Sequence, residues 1–245
     1  MDDVPDDHPR AASLRTRERL EAGLDAGITS RAGLLAHGRG EAFDYLLGER
    51  TIESADGAAR AAAAHLLLAE HPVLSVNGNV AALVPEAMVD LAEAVDADLE
   101  VNLFHRTEER VRAIAEHLRE HGATDVKGLA ADARVPGLSH DRALVDADGI
   151  YDADVVLVPL EDGDRAEALG EMGKTEIVID LNPLSRSAQV AAVPIVDNVV
   201  RAVPNVARHA RDLDDATGAE LRAVVEQFDR EAALADAERA IREGV

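Results

Sequence analysis

Residues 177–187, Ile-Val-Ile-Asp-Leu-Asn-Pro-Leu-Ser-Arg-Ser, leave this chain little freedom in choosing a fold, because a β-branched apolar run stops abruptly at polar and turn-forming residues. A parallel strand covered on both faces reads this way, and such strands open at their carboxyl ends onto ligand crevices. Ile177, Val178 and Ile179 form the expected buried strand, Asp180 and Asn182 emerge at its end, and Pro183 stops the ladder. Ser185, Arg186 and Ser187 add hydroxyls and a planar guanidinium suited to phosphate oxygens. The same residues also serve an ordinary strand exit in which Asp and Asn merely make the turn. A second apolar run, residues 154–159, ends in Leu160-Glu161-Asp162-Gly163-Asp164-Arg165, so two strands deliver carboxylates and an arginine to one edge.

Shorter apolar runs at 73–76, 99–103, 126–129 and 193–196 alternate with helical stretches. That spacing predicts an α/β fold, a Rossmann-like three-layer sandwich with a mostly parallel sheet, plus N-terminal and C-terminal helices. We expect one α/β domain over residues 1–245, with a helical segment to about 70, the sheet core from about 71 to 200, and a second helical segment beyond. Residues 13–26 read as an amphipathic helix with Leu14, Leu20 and Leu24 inward and Gly27 as its stop. Gly38-Arg39-Gly40 reads as a turn ahead of a short helix at 41–47, whose first amides, with His37 and Arg39, could hold an anion.

A long alanine-rich helix starts at Ser54, and Asn77-Gly78-Asn79 is a polar loop before a helix entered at Pro85. Thr107, Glu108 and Glu109 open another helix, and residues 136–150 form an irregular, substrate-facing stretch. From Thr217, the stripe Leu221, Val224, Val225, Phe228 and Ala232 is a helix that either covers the core or meets a second copy.

With 48 Asp and Glu against 25 Lys and Arg, the formal charge is −23, and Lys127 and Lys174 are the only lysines. A surface this acidic argues against nucleic-acid and anionic-membrane partners and points to a protein that works in concentrated salt. The absence of cysteine excludes disulfides and thiolate chemistry. An acidic, polar start and no apolar run near the roughly 20 residues of a membrane span imply a soluble, cytoplasmic protein. Gly173-Lys174-Thr175 precedes a strand and so is no phosphate-binding P-loop, and the pair His117 and His121 has no third metal ligand of matching spacing.

Four segments carry a family resemblance: 36–46 (Ala-His-Gly-Arg-Gly-Glu-Ala-Phe-Asp-Tyr-Leu), 75–85 (Ser-Val-Asn-Gly-Asn-Val-Ala-Ala-Leu-Val-Pro), 158–165 and 180–187. Together, in this order, they resemble the archaeal phosphopantothenate synthetases, over about residues 8–205. The resemblance implies a 4-phosphopantoate–β-alanine ligase of coenzyme A biosynthesis. ATP would activate the acid as an acyl-adenylate with release of AMP and pyrophosphate, magnesium would accompany the nucleotide, and the enzyme would be a homodimer. It places ATP on Arg17, Arg39, Asp180, Leu181, Asn182, Arg186, Ser187, Asn198 and Val199.

His37, Arg39, Asp180 and Arg186 are the catalytic candidates, and His37, Asn77, Gly78, Asn79 and Arg106 are candidates for holding phosphopantoate. Glu161 and Asp162 stand to bind either magnesium or the ammonium of β-alanine. Two other readings compete. A nicotinamide-dependent Rossmann oxidoreductase would need glycine where Phe43 stands, and a non-catalytic nucleotide-binding regulator would bind ATP without turning it over. If the charge of −23 reflects a saline cell, activity and thermal midpoint should rise between about 0.1 M and about 2 M potassium chloride as screening relieves self-repulsion. A flat or falling profile in a salt titration would remove that reading.

Overall fold

The computed structural model describes residues 5, 7–8, 10–160 and 162–244. Helices α1 (Ala11–Asp25), α2 (Arg31–Leu46) and α3 (Glu53–Leu68) lead into strand β1 (Pro72–Val76), and α4 (Gly78–Leu83) and α5 (Pro85–Val95) carry the chain to β2 (Asp98–Val101). After α6 (Glu108–Glu120) comes a small antiparallel ribbon of β3 (Ala133–Arg134) and β4 (Leu144–Val145), with a 3-10 turn, Asp141–Ala143, just ahead of β4. Next come β5 (Val155–Pro159), α7 (Gly163–Glu171), β6 (Thr175–Ile179), α8 (Arg186–Val190) and β7 (Val193–Ile195). Helices α9 (Val199–Asp212), α10 (Gly218–Gln227) and α11 (Arg230–Glu243) follow. The main sheet has the order β2-β1-β5-β6-β7, with every pairing parallel, so the expected α/β sandwich is the fold.

Connections run one way from β1 to β2 and the other way from β5 through β6 to β7. The reversal leaves a crevice at the carboxyl ends of β1 and β5, which is where open sheets of this kind bind ligands. Asn77 spans it, donating from Nδ2 to the Pro159 carbonyl at 2.9 Å while its Oδ1 accepts from the amides of Asn79 and Val80.

The two faces of the sheet are covered differently. Leu74, Val76, Leu99, Val101, Ile177 and Ile179 pack with α3, α5 and α9, where buried alanines from Ala58 to Ala64 let helices approach closely. Val73, Val156 and Val158 face α7 and the segment around residues 133–153. That covering segment has little regular structure, so its backbone groups need partners. Strand β2 and the residue that follows it supply them. Glu100 accepts from the amides of Asp146 and Ile150 at 3.0 and 2.6 Å, and Asn102 donates to the carbonyls of Arg142 and Leu144 at 3.2 and 3.0 Å.

Several local expectations need correction. Gly38 and Gly40 sit inside α2, which starts from the Ser30 cap, so no helix begins at Glu41 and no helix-start anion site forms there. Three-residue and four-residue spacing puts Gly33, Ala36, Gly40 and Phe43 on one stripe, so Gly40 serves packing where the sequence suggests a turn, while Gly38 faces open space. Asn77-Gly78-Asn79 is the cap and first turn of α4, not a loop. Residues 126–129 contribute only the bridge between Glu100 and Lys127. The stripe after Thr217 is split at Phe228 into α10 and α11, which pack on α3 as core cover. In α1, Leu20 is buried, but Leu14 and Leu24 are half-buried. Among the described residues, no helix is long and apolar enough to cross a membrane.

Burial pushes the Glu100 carboxyl up to about 7, with neighbouring Asp146 adding to the shift and two backbone donors and Arg165 opposing it. A raised folded-state value means that this group's stabilising contribution is complete below the unfolded value near 4.5 and is lost as pH rises towards 7. His37, His65 and His117, held low by burial, slope the opposite way over an overlapping window, so the difference between proteins is the readout. Glu100→Gln cannot ionise. The stability difference between wild type and variant should therefore shift towards the variant by on the order of 1 kcal/mol per pH unit from pH 5 to 7. Denaturant melts at four pH values check this, and parallel curves would refute it.

Candidate active site

A cleft of about 640 Å³ lies over the carboxyl edge of the sheet. Its β6 flank is built by Asp180, Leu181, Asn182, Ser185, Arg186 and Ser187. Here the polar residues organise one another. Asp180 accepts from the Asn182 amide at 3.0 Å and from the Ser185 hydroxyl at 2.6 Å, and the Ser187 hydroxyl reaches the same carboxylate at 3.3 Å. Asn182 in turn accepts from the Leu184 amide, and Ser185 caps α8. Arg186 lines the cleft and pairs with Asp164 on α7, with Glu167 at 3.7 Å. Gly163 makes this possible, since a Cβ there would stand 2.8 Å from that of Arg186.

The opposite flank follows β1, β2 and β5. It holds Asn77, Gly78, Asn79, Phe104, His105, Arg110, Arg142, Leu160 and Asp162. Leu160 leaves β5 with φ at 58°, a left-handed conformation uncommon for a branched side chain. Arg142 meets Asp162 at 3.3 Å through Nε and the Leu160 carbonyl at 3.4 Å through Nη2. Arg110 donates to the carbonyls of Ile28 and His105, and burial lowers its pKa without removing its charge.

Helix α2 crosses the mouth between the flanks. Gly33 lets it approach Asn79 and Thr29, because a Cβ would lie 2.8 Å from the Thr29 hydroxyl, and Gly40 faces Leu181. Asn79, 6% exposed, accepts from the Thr29 hydroxyl and donates to the Gly33 carbonyl at 2.9 Å. Arg39 and Phe43 complete this wall.

Of the residues singled out in the sequence, Arg39, Asn77, Gly78, Asn79, Asp162, Asp180, Leu181, Asn182, Arg186 and Ser187 share the cleft. Five lie apart from its lining. Arg17 grips Glu41 with two nitrogens at 2.9–3.2 Å, and although burial alone would raise the Glu41 carboxyl, bonds from Arg17 and Ser13 hold it below its usual value. His37, on α2, stands near that pair, its pKa lowered by burial. Arg106 donates to the Gly128 carbonyl. Asn198 caps α9 and gives its amide to Asp44 at 2.7 Å, with Val199 buried beside it. Glu161 lies outside the described residues.

Sequence reasoning passed over Arg110 and Arg142 because each stands alone among ordinary helix or loop residues. Arg142 reaches the cleft from the covering segment, held by Asn102, and Arg110 reaches it from α6, tied to the Ile28 and His105 carbonyls.

A parallel α/β sheet whose switch-point cleft gathers Arg39, Arg110, Arg142 and Arg186 beside hydroxyls and caps defines an α/β protein that handles anionic ligands at its strand ends. The family profile described as Phosphopantothenate/pantothenate synthetase matches residues 54–244, and the chain belongs to that family. It is 56% identical over 237 residues to a protein of Thermococcus kodakarensis, covering 96% of this chain and 91% of that one. It is also 56% identical over 243 residues to a protein of Methanosarcina mazei, covering 99% and 96% respectively. A protein of Methanospirillum hungatei is 58% identical over 211 residues, 86% of each chain. All three relatives bear the name 4-phosphopantoate–beta-alanine ligase.

If Arg186 engages phosphate, Arg186→Ala removes a charge-assisted contact of about 1.5–3 kcal/mol, so kcat/KM should fall roughly 10- to 150-fold. Arg186→Lys should recover only part, since a point charge lacks bidentate geometry. The melting temperature should barely move, because Arg186 and its partners Asp164 and Glu167 are solvent-exposed. Wild-type kinetics in Arg186→Ala would remove it from the site.

Proposed function

We propose that this chain condenses 4-phosphopantoate with β-alanine to 4-phosphopantothenate at the expense of ATP, a step of coenzyme A biosynthesis. One observation carries the reading: in a chain of formal charge −23, four arginines from separate elements converge on one cleft. Such focused positive charge suits two polyanions that must meet, and the reaction in the relatives' names has a phosphorylated substrate.

A carboxylate is a poor electrophile. In the proposed route the acid's carboxylate oxygen attacks the α-phosphorus of ATP, the bond to the β-phosphate oxygen breaks, and pyrophosphate leaves. The amine of β-alanine then attacks the acyl carbon, loses a proton, and AMP departs with the carboxylate-derived oxygen. This chemistry needs positioning and charge neutralisation more than a nucleophilic side chain.

Arg39 and Arg186 would neutralise nucleotide phosphates, and the Asp180–Asn182 turn, with Leu181, would face the nucleoside. Asn77, Gly78 and Asn79 would meet the acid. Magnesium would arrive with ATP. Among the described residues no cluster of three metal-ligating side chains is found, and magnesium in phosphate sites fits one or two carboxylates plus phosphate oxygens. Asp162 or Asp180 can supply a carboxylate, and the other remains for the β-alanine ammonium. The ion would neutralise charge on the phosphates.

Arg17, His37, Arg106, Asn198 and Val199, apart from the cleft within one copy, would contribute through a homodimer or by closure of α1 and α2. The acidic surface fits a salt-adapted cytoplasm. Incubation with ATP, magnesium, 4-phosphopantoate and β-alanine in high salt should yield 4-phosphopantothenate, AMP and pyrophosphate in equal amounts. Stoichiometric ADP and phosphate would replace the adenylate with an acyl phosphate, and ATP binding without product would favour a regulator.

A further inference from the structure

The flank along β1, β2 and β5 contains two arginines with different commitments. Arg110 gives Nε and Nη2 to the Ile28 carbonyl at 3.3 and 3.1 Å, and Nη1 to the His105 carbonyl at 2.9 Å, so its guanidinium ties loops together. Arg142 is arranged differently. An ion pair with Asp162 and a 3.4 Å bond to the Leu160 carbonyl draw it to the β5 side, and its side chain is 8% exposed where it lines the cleft. A guanidinium held by a carboxylate in a sheltered cleft is preorganised for a second anion.

The main chain beneath Arg142 is held with equal care. Asn102, 1% exposed and absent from the cleft lining, donates to the Arg142 and Leu144 carbonyls on either side of the turn's end. The Arg106 amide donates to Asp141 at 3.1 Å, fixing the same turn from its start. Asn102 Oδ1 has no hydrogen-bond partner, so this buried amide carries a desolvation cost. A residue kept at such a cost just past the end of β2 invites a reason other than stability.

We propose that Arg142 binds the phosphate of the phosphorylated hydroxy acid and that Asn102, which touches no ligand, is the residue that positions it. The assignment rests on the ligase reading above. The β6 flank, with Arg186, Ser185 and Ser187, and Arg39 on the α2 wall face the nucleotide in that reading, so among the described residues the acid's phosphate falls to the flank of Arg142, where Asn77 and Asn79 also stand.

Steady-state kinetics in high salt, varying each substrate separately, test this. Arg142→Ala should raise KM for 4-phosphopantoate roughly 10- to 150-fold and leave KM for ATP within about 2-fold. With unphosphorylated pantoate, wild type and Arg142→Ala should be equally poor. Asn102→Ala should raise the same KM about 5- to 30-fold. In the Arg142→Ala background, Asn102→Ala should add nothing, because its effect acts through Arg142.

A rise in KM for ATP instead would assign the phosphate to the nucleotide and overturn the proposal. Equal losses from Asn102→Ala in both backgrounds would make Asn102 merely structural. If Arg142→Ala does not fold, Arg142→Lys keeps the stem and charge and should show a smaller rise in the same KM; an unchanged KM refutes the role. A wild type that makes no 4-phosphopantothenate fails the ligase reading, whereas an active wild type matched by Arg142→Ala fails this one alone.

Discussion

The reversal of chain direction between β1 and β5 is the constraint on which the site depends. Parallel strands leave their carboxyl ends pointing one way, and where successive crossovers depart in opposite directions no connection covers the gap. Asn77 holds the two sides together through the Pro159 carbonyl while capping α4, so one side chain fixes strand, helix and cleft. A substituent at Gly33 would collide with Thr29, which is why α2 can close over this gap at such short range.

Electrostatics on two scales then shape the molecule. The surface repels anions over long distances, with a formal charge of −23, yet the cleft concentrates guanidinium groups from α2, α6, the 3-10 turn and α8. Arg142 and Arg186 are each held by a nearby carboxylate, Asp162 and Asp164. Those pairs restrain long side chains before an anion arrives, and the carboxylates stand on the turn and helix that follow β5. Loss of side-chain freedom is thereby met during folding instead of on binding.

The layer over β2 is held by polar contacts where a helix would present apolar side chains. Glu100 and Asn102 satisfy the amides and carbonyls of a segment that could not satisfy its own, and this links the end of β2 to the placement of Arg142. Burial charges a penalty on both residues, seen in the raised Glu100 pKa and the unpartnered Asn102 oxygen.

From sequence alone, the α/β class, the parallel sheet, the strand-end position of Asp180 and Asn182 and the family were legible, because continuous β-branched runs, abrupt polar exits and long motifs are local signals. The span of α2 was not. Gly38 and Gly40 look like helix breakers in one dimension, yet α2 runs through both from its Ser30 cap, with Gly40 packed towards Leu181. Asn77 read as a loop residue, since its bond to Pro159 joins residues 82 positions apart. Arg110 and Arg142 carried no motif: Arg110 is tied from α6 to the Ile28 carbonyl 82 residues earlier, and Arg142 is placed by Asn102, which bonds its carbonyl 40 residues later. Local chemistry thus set which elements form and where their polar ends lie; only the tertiary structure determined which side chains meet, because those contacts come from backbone groups seeking partners across long stretches of chain.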